Sequence, residues 1–328
     1  MEKQSGNEGQ DYKGTIVMIP CLNEEKTVGK VVADFKAALP GAKIFVYDNN
    51  STDKTAEIAR SEGAVVVPAP IQGKGNVVRQ MFAELDGDVF LMVDGDDTYP
   101  ADQAPGLIAE LKKGAADMVV GARLSAYEAK SFRAFHKFGN RLVAGLISLI
   151  FSRKVTDVMS GYRVFSWTFV KSIPLMSEGF DVETEMTLQA LAKDFRITEI
   201  PIKYGERPAG SFSKLNTYMD GFLVLKTIFL IFKDYKPFIF FFLLSLMLAG
   251  LSIAIGYWPI MDYIKFRYVY HVPLAVLASG IGILSALSFG LGLIMDTLAK
   301  YHNENFVLRK RLVTKRLNRG DEQDSGNW

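Results

Sequence analysis

A chain of 328 residues with 38 Lys and Arg against 36 Asp and Glu has a net charge of only +2, which excludes a protein that grips polyanions over its whole surface and makes any basic contact local. Its one cysteine, Cys21, excludes an internal disulfide and fits a reducing compartment. Hydrophobic content of 49% is ordinary, but the excess lies mostly after residue 215, and the length allows roughly two domains.

Residues 1–13 are polar, lack an apolar core of signal length and read as a disordered lead. Residues 15–19 form an apolar, β-branched run, followed by Pro20-Cys-Leu-Asn23-Glu24-Glu25 and a helical pattern to about Leu39. A second strand at 43–47 ends in Asp48-Asn49-Asn50-Ser51-Thr52-Asp53, whose small oxygen-bearing side chains suit a helix start, and a helix runs to about Ser61. Residues 64–67 are a third strand. After Pro68 and Pro70, Gln72-Gly73-Lys74-Gly75-Asn76 opens a helix to about Leu85. The run 89–93 is a buried strand that stops in Asp94-Gly95-Asp96-Asp97-Thr98; a helix over 101–113 and a strand over 117–120, ending in Gly121-Ala122-Arg123, follow. Strands alternating with helices at this spacing predict an α/β domain, a mostly parallel sheet with helices on both faces, and they bring the polar ends of the first, second and fourth strands to one edge.

Asp94 and Asp96, at i and i+2 after a buried strand, can face one crevice and offer oxygen ligands to Mg²⁺ or Mn²⁺, which completes its shell from waters and a substrate diphosphate. Gly95 lets the backbone turn between them. A solvated Asp/Gly turn is the other reading of these residues. The first turn lacks the Gly-x-Gly-x-x-Gly of a dinucleotide fold, and Gly73-Lys74-Gly75-Asn76 is too short for a P-loop and lacks its hydroxyl. Asn and Glu there suit a base or ribose, although Asn23 and Glu24 would also serve at a helix start. Asp53 reads as a helix-start residue and Cys21 as a small core residue.

Seven short pieces in order resemble the family 2 glycosyltransferases of the GT-A fold: Pro20-x-x-Asn23-Glu24, the Asp48 to Asp53 loop, Gly73-Lys74-Gly75, Asp94-x-Asp96, Ser160-Gly161-Tyr162-Arg163, Gly179-Phe-x-x-Glu183-x-Glu185 and Arg207-x-x-Gly210-Ser211-x-Ser213-Lys214. Within that family the chain looks most like polyprenyl- and dolichyl-phosphate sugar synthases. The resemblance implies a donor site of Pro20, Asn23, Glu24, Asp48, Asn50, Lys74, Asp94, Gly95, Asp96, Glu183, Arg207, Ser213 and Lys214, with Asp94 and Asp96 holding the metal. Arg207, Ser211, Ser213 and Lys214 would form a lid over the diphosphate or the tether to the membrane. Several relatives place a glutamine two residues after the second metal acid, where this chain has Thr98. Glu183 and Glu185 are expected to bind sugar hydroxyls or arginines, or to start a helix.

Arg133, His136, Lys137 and Arg141 precede an apolar run over 142–151 that is too short to span a bilayer and reads as an interface helix or a core helix. Residues 215–236 read as an amphipathic juxtamembrane helix. Residues 237–258 and 272–295 pass the length test for spanning and carry no charge, which predicts a hairpin over 237–296. Lys300, Arg309, Lys310, Arg311, Lys315, Arg316 and Arg319 in the tail 297–328 outweigh Lys265 and Arg267 in the connection, so both termini and the catalytic domain 14–214 are expected on the cytoplasmic side of the membrane. The tail's charges suit anionic headgroups, and no nucleic-acid partner is expected. Gly280, Gly282, Gly290 and Gly292 could pack against a second copy.

The acceptor expected beside such a site is a polyprenyl phosphate, undecaprenyl or dolichyl, its phosphate met by Arg123, Arg133, His136 and Arg163, since guanidinium forks match phosphate oxygens. Relatives often have a serine where His136 falls. The catalytic set expected is Asp96, Arg123, Arg133 and Arg163, acting in an inverting, metal-dependent transfer of a hexose or N-acetylhexosamine, with a UDP-sugar favoured over GDP-mannose. A processive polysaccharide synthase would carry Gln-x-x-Arg-Trp, and none of Trp167, Trp258 and Trp328 follows an arginine. A nucleotidyltransferase would need a Gly-rich first turn; an inert membrane scaffold is the non-enzyme alternative.

Overall fold

The computed structural model describes residues 11–123, 144–145, 147–179, 181–205, 229–230 and 233–324, with side chains through 311. The chain divides into two compact units, residues 1–221 with 309–328, and residues 222–308.

The first unit is built on a seven-stranded sheet of β1 (Thr15–Cys21), β2 (Lys43–Asp48), β3 (Val65–Pro68), β4 (Val89–Met92), β5 (Met118–Ala122), β6 (Arg163–Ser166) and β7 (Ile197–Pro201), in the order β3-β2-β1-β4-β6-β5-β7. β1 pairs in parallel with β2 and β4, β2 with β3, and β5 with β7; β6 runs antiparallel between β4 and β5. The five strands expected are present, and β6 and β7 are additional.

Both faces of the sheet are covered, which is why its strands read as continuous apolar runs rather than alternating ones. Val17, Ile19, Leu91, Val119 and Val164 share a core with α1 (Val28–Ala38) and α4 (Ala104–Lys112). The intervening residues Met18, Phe90, Met92 and Phe165 are equally buried, and Phe165 meets Phe82 of α3 (Lys74–Glu84) and Phe169 of α5 (Trp167–Ser172). α1 buries Val28, Val31, Val32 and Phe35, the i, i+3, i+4, i+7 stripe that one helix face presents. Each such side chain contributes about 1.5–3 kcal/mol on burial. α2 (Thr55–Ser61) and α6 (Val182–Ala192) are further helices of this unit, with helical stretches at 144–145 and 147–151.

The register places the carboxyl ends of β1, β2, β4 and β5 on one edge, with Cys21 opposite Asp48 and Met18 opposite Met92. Because β6 is antiparallel, the loop that feeds it, residues 157–162, arrives at that same edge, with Arg163 level with Met92 and Val120.

The second unit contains α7 (Pro237–Phe266) and most of α8 (Val272–Asp324), longer than the expected spans and joined by residues 267–271 alone. Both are long and apolar enough to cross a membrane. Leu243, Leu246, Met247, Ile253, Val276, Ile283, Leu287 and Ile294 are exposed along them, an outward apolar surface of the kind that lipid covers. Within the hairpin, Ser252 Oγ donates to the Ala278 carbonyl at 2.8 Å and Ser285 Oγ to the Ser245 carbonyl at 2.8 Å. Two of the four glycines in α8's apolar stretch face α7: Gly282 lies against Ser252 and Gly292 against Phe241, close approaches that a missing Cβ allows. The connection is fixed by Asp262, whose carboxylate accepts the backbone N–H groups of Tyr270 and His271. The expected amphipathic helix over 215–236 lies largely outside the described residues.

Candidate active site

The edge where β1, β2 and β4 end is assembled by side chains that tie loop to loop. Thr27, just before α1, donates its hydroxyl to the Gly95 carbonyl at 2.7 Å, clipping the acidic turn to the helix start. Asn23 is not the cap: it sits at φ 53, and its Oδ1 accepts the Thr52 N–H at 2.8 Å while its own N–H meets Ser51 Oγ. The left-handed conformation that asparagine tolerates thus joins the first loop to the second. Glu24 sends its N–H to Thr55 Oγ1 and accepts from the Thr27 hydroxyl. Asp53 behaves as a helix-start residue, accepting from Thr55 and from the Glu25 N–H. Asn50 Nδ2 reaches the Pro70 carbonyl at 3.0 Å. Asn49, which sequence reasoning passed over, does more: its amide donates to the carbonyls of Ala69 and Ile71 and accepts the Gly73 N–H, all at 2.8 Å.

Asp48, at the end of β2 beside Pro20 and Cys21, keeps one carboxylate oxygen, Oδ1, buried with no hydrogen-bond partner among the described residues. A buried acceptor left so is costly in isolation and suits a site that a ligand's N–H or O–H completes. Cys21 is a core residue: its Sγ fills the space where a side chain on Gly95 would go, and burial first, then the surrounding carboxylates, push its thiol well above the ordinary pKa.

The acids after β4 have different surroundings. Asp97 turns to Lys30, 2.6 Å away. Asp96 is buried, and its Oδ1 accepts both the Thr98 N–H and the Thr98 hydroxyl, the latter at 2.6 Å. Asp94 Oδ1 lies 2.5 Å from Lys74 Nζ, and the same ammonium pairs with Glu183 in the first turn of α6. Lys74 is only 10% exposed. Burial opposes its charge, but the two carboxylates outweigh burial and hold its pKa above the ordinary lysine value. Glu183 is thus paired with a lysine, and its charge also acts on Arg163. Glu185 is a structural residue, accepting the N–H groups of Met176 and Ser177; that loop in turn packs its backbone onto Gly73 and Gly75, where no Cβ would fit.

Two carboxylates of hard oxygen donors, with Thr98 engaged on Asp96, match a cation that takes its remaining ligands from water and phosphate. Among the described residues no cluster of three or more His, Cys, Asp or Glu converges as a metal site.

Arg123, after β5, is held flat by Asp157: Nε to Oδ2 at 2.8 Å, Nη2 to Oδ1 at 2.9 Å, and its own N–H to Oδ2 at 3.0 Å. Its guanidinium lies over the Tyr204 ring, which meets Tyr99, whose hydroxyl accepts the Gly161 N–H beside Asp94. Burial works against the ionised form of each partner; pairing wins, leaving Arg123 above and Asp157 below its ordinary pKa. Arg163 departs from expectation. It is fully buried, and its guanidinium donates to the Ser160 and Val158 carbonyls and to Thr187 Oγ1. Burial lowers its pKa, with the Glu183 and Asp157 charges opposing that. This arginine ties the 157–162 loop together and is not presented to an acceptor. Arg133, His136, Arg207, Ser213 and Lys214 lie outside the described residues.

Residues 16–172 match the model of Glycosyl transferase family 2. Protein RfbJ of Shigella flexneri is 52% identical over 121 residues, 37% of this chain and 94% of that protein. The chain belongs to the family 2 glycosyltransferases. A dolichyl-phosphate hexose transferase of Haloferax volcanii is 31% identical over 212 residues, covering 65% of this chain and 91% of that protein. In three dimensions, glucosyl-3-phosphoglycerate synthase from Mycobacterium tuberculosis, crystallised with Mn²⁺, UDP and phosphoglyceric acid, aligns at a TM-score of 0.55 and 20% identity over 68% of this chain and 78% of that chain. That likeness establishes the GT-A fold for this glycosyltransferase.

Proposed function

We propose that this glycosyltransferase moves a hexose or N-acetylhexosamine from a nucleotide sugar, with a UDP-sugar favoured, onto a polyprenyl phosphate, with inversion at the anomeric carbon. The observation that carries the reading is the union, in one chain, of a GT-A sheet edge with two helices long and apolar enough to cross a bilayer. A sugar-transfer site tethered to lipid calls for an acceptor that lives in lipid, and a relative at 31% identity is a dolichyl-phosphate hexose transferase.

In this reading the unpartnered Asp48 oxygen receives a hydroxyl or N–H of the nucleoside, with Asn23 and Glu24 shaping the adjoining loop. Asp94 and Asp96 would hold Mg²⁺ or Mn²⁺, whose charge, when bound, stabilises the departing nucleoside diphosphate. Lys74 adds a second cation beside the diphosphate. Arg123 aims the acceptor phosphate, with Arg133 and His136 assigned to it from sequence. A phosphate monoester, with a second pKa of about 6, is already ionised near neutrality, so no general base is required. Its oxygen forms the new bond to the anomeric carbon as the bond to the diphosphate breaks, and the electron pair leaves with the nucleotide. Catalysis is then positioning and charge neutralisation.

The test is to supply membranes containing the protein with undecaprenyl or dolichyl phosphate and a panel of radiolabelled UDP- and GDP-sugars. Label entering an organic-extractable, phosphate-linked lipid is the expected result. Label in a polymer, or none in lipid with any donor, would exclude a lipid-phosphate acceptor.

A further inference from the structure

Outside the residues so far given a role in transfer, one half-buried carboxylate organises more of the site than its place in the sequence suggests. Glu199 lies in β7, beyond the far side of β5 from the acidic turn. Its carboxylate accepts the Thr156 N–H on both oxygens at 2.9 Å, the Thr156 hydroxyl at 2.6 Å and the Asp157 N–H at 3.1 Å. Those bonds fix the backbone at the residue whose side chain holds both the main chain and the guanidinium of Arg123.

We propose that Glu199 is a positioning residue for the acceptor phosphate, acting through Thr156 and Asp157 to set the plane and direction of the Arg123 guanidinium. The inference rests on the reading of Arg123 as an acceptor-phosphate group. Asp157 engages the Nε and Nη2 edge, so rotation of the fork about its own axis is blocked, and Tyr204 supports one face of it. A flexible arginine loses much of its preference for a bidentate phosphate when the fork is not pre-set. Among the described residues the hydrogen bonds its carboxylate accepts come from residues 156 and 157, and none comes from the Asp94 and Lys74 cluster. Its influence belongs on the acceptor and not on the donor.

The experiment measures steady-state kinetics of the full-length protein in nanodiscs, varying undecaprenyl phosphate and the donor separately, for wild type, Glu199→Gln, Thr156→Val, Arg123→Lys and the Glu199→Gln/Arg123→Lys double variant. Glu199→Gln is expected to raise KM for undecaprenyl phosphate about tenfold, equivalent to about 1.4 kcal/mol, and to leave donor KM within about twofold. Thr156→Val, which removes one leg of the support and keeps the fold if the first variant does not, shifts the same parameter by a smaller factor. The double variant should be little worse than Arg123→Lys alone, since both substitutions spoil one interaction. Equal losses toward donor and acceptor, no change in acceptor KM, or full additivity would overturn the positioning role while leaving Arg123 in place. An Arg123→Lys variant with unaltered acceptor KM would overturn the reading of Arg123 and the inference with it.

Discussion

At the scale of single residues, the most consequential charge in the site is the Lys74 ammonium. It stands between Asp94 and Glu183 in a pocket that is nearly closed to water, where two opposite charges at about 4 Å interact by about 4 kcal/mol at an effective dielectric of about 20. A divalent cation approaching Asp94 must contend with that ammonium, which retains Glu183 as its alternative partner. Lys74→Met should therefore bind Mn²⁺ about tenfold more tightly without nucleotide, read from the paramagnetic resonance signal of free Mn²⁺, while turnover falls about a hundredfold for want of the cation beside the diphosphate. An affinity equal to or below that of the wild type would mean that Lys74 does not contest the site. Asp157 yields a different prediction because its pKa is depressed by Arg123. Its stabilising effect is complete above the unfolded carboxylate value of about 3.9 and is lost as pH falls through the lower folded value. Asp157→Asn should cost about 3–5 kcal/mol at pH 7, the penalty of removing the buried partner of this ion pair. The gap between the two proteins should close on acidification, as thermal denaturation of the full chain in detergent across pH would record.

At the scale of elements, the sheet edge depends on backbone approaching side chain with nothing between. Gly161 is the case that bears on a metal acid: a Cβ there would stand 2.5 Å from Asp94 Oδ2 and 3.0 Å from its Cγ. Gly161→Ala should push the carboxylate aside, lowering turnover about a hundredfold, since a misplacement of about 1 Å can cost that much, with a melting temperature close to that of the wild type. Retained turnover would show that Asp94 can move without loss. Why this glycine matters was only partly legible. The strands β1, β2, β4 and β5 announce themselves as buried β-branched runs, and with them the acids at their ends. β6 and β7 do not, because Arg163 opens the one and Glu199 stands in the other, so neither reads as apolar. Without β6, the Ser160 to Arg163 segment was only a motif, and Arg163 resembled a ligand when its guanidinium in fact satisfies carbonyls. Pairings such as Arg123 with Asp157, 34 residues apart, leave no periodic trace in a sequence. Local chemistry was the readable part: Asp53 was correctly placed at a helix start, while Asn23 bridges two loops and Thr27 stands just before α1.

At the scale of the whole molecule, the proposed acceptor requires the hairpin to cross the membrane with its connection on the far side from the nucleotide. The connection between α7 and α8 carries Arg267 and is flanked by Lys265, whereas Lys300, Arg309, Lys310 and Arg311 follow the second apolar stretch, a bias that retains the more basic side in the cytoplasm. The lone cysteine makes this directly testable. Cys21 is buried and free, and Cys21→Ala gives a thiol-free background at the cost of a small change beside Gly95. In that background Val269→Cys, in the connection, should react with a membrane-impermeant maleimide added to intact cells, while Asn303→Cys, on α8 beyond the apolar stretch, should react only after the cells are broken. The reverse pattern would place the catalytic unit outside, where cytoplasmic nucleotide sugars do not reach it. Labelling of neither site until the cells are broken would mean that the two helices do not span, and a lipid acceptor would then have to be met from one leaflet by a hairpin lying in the interface.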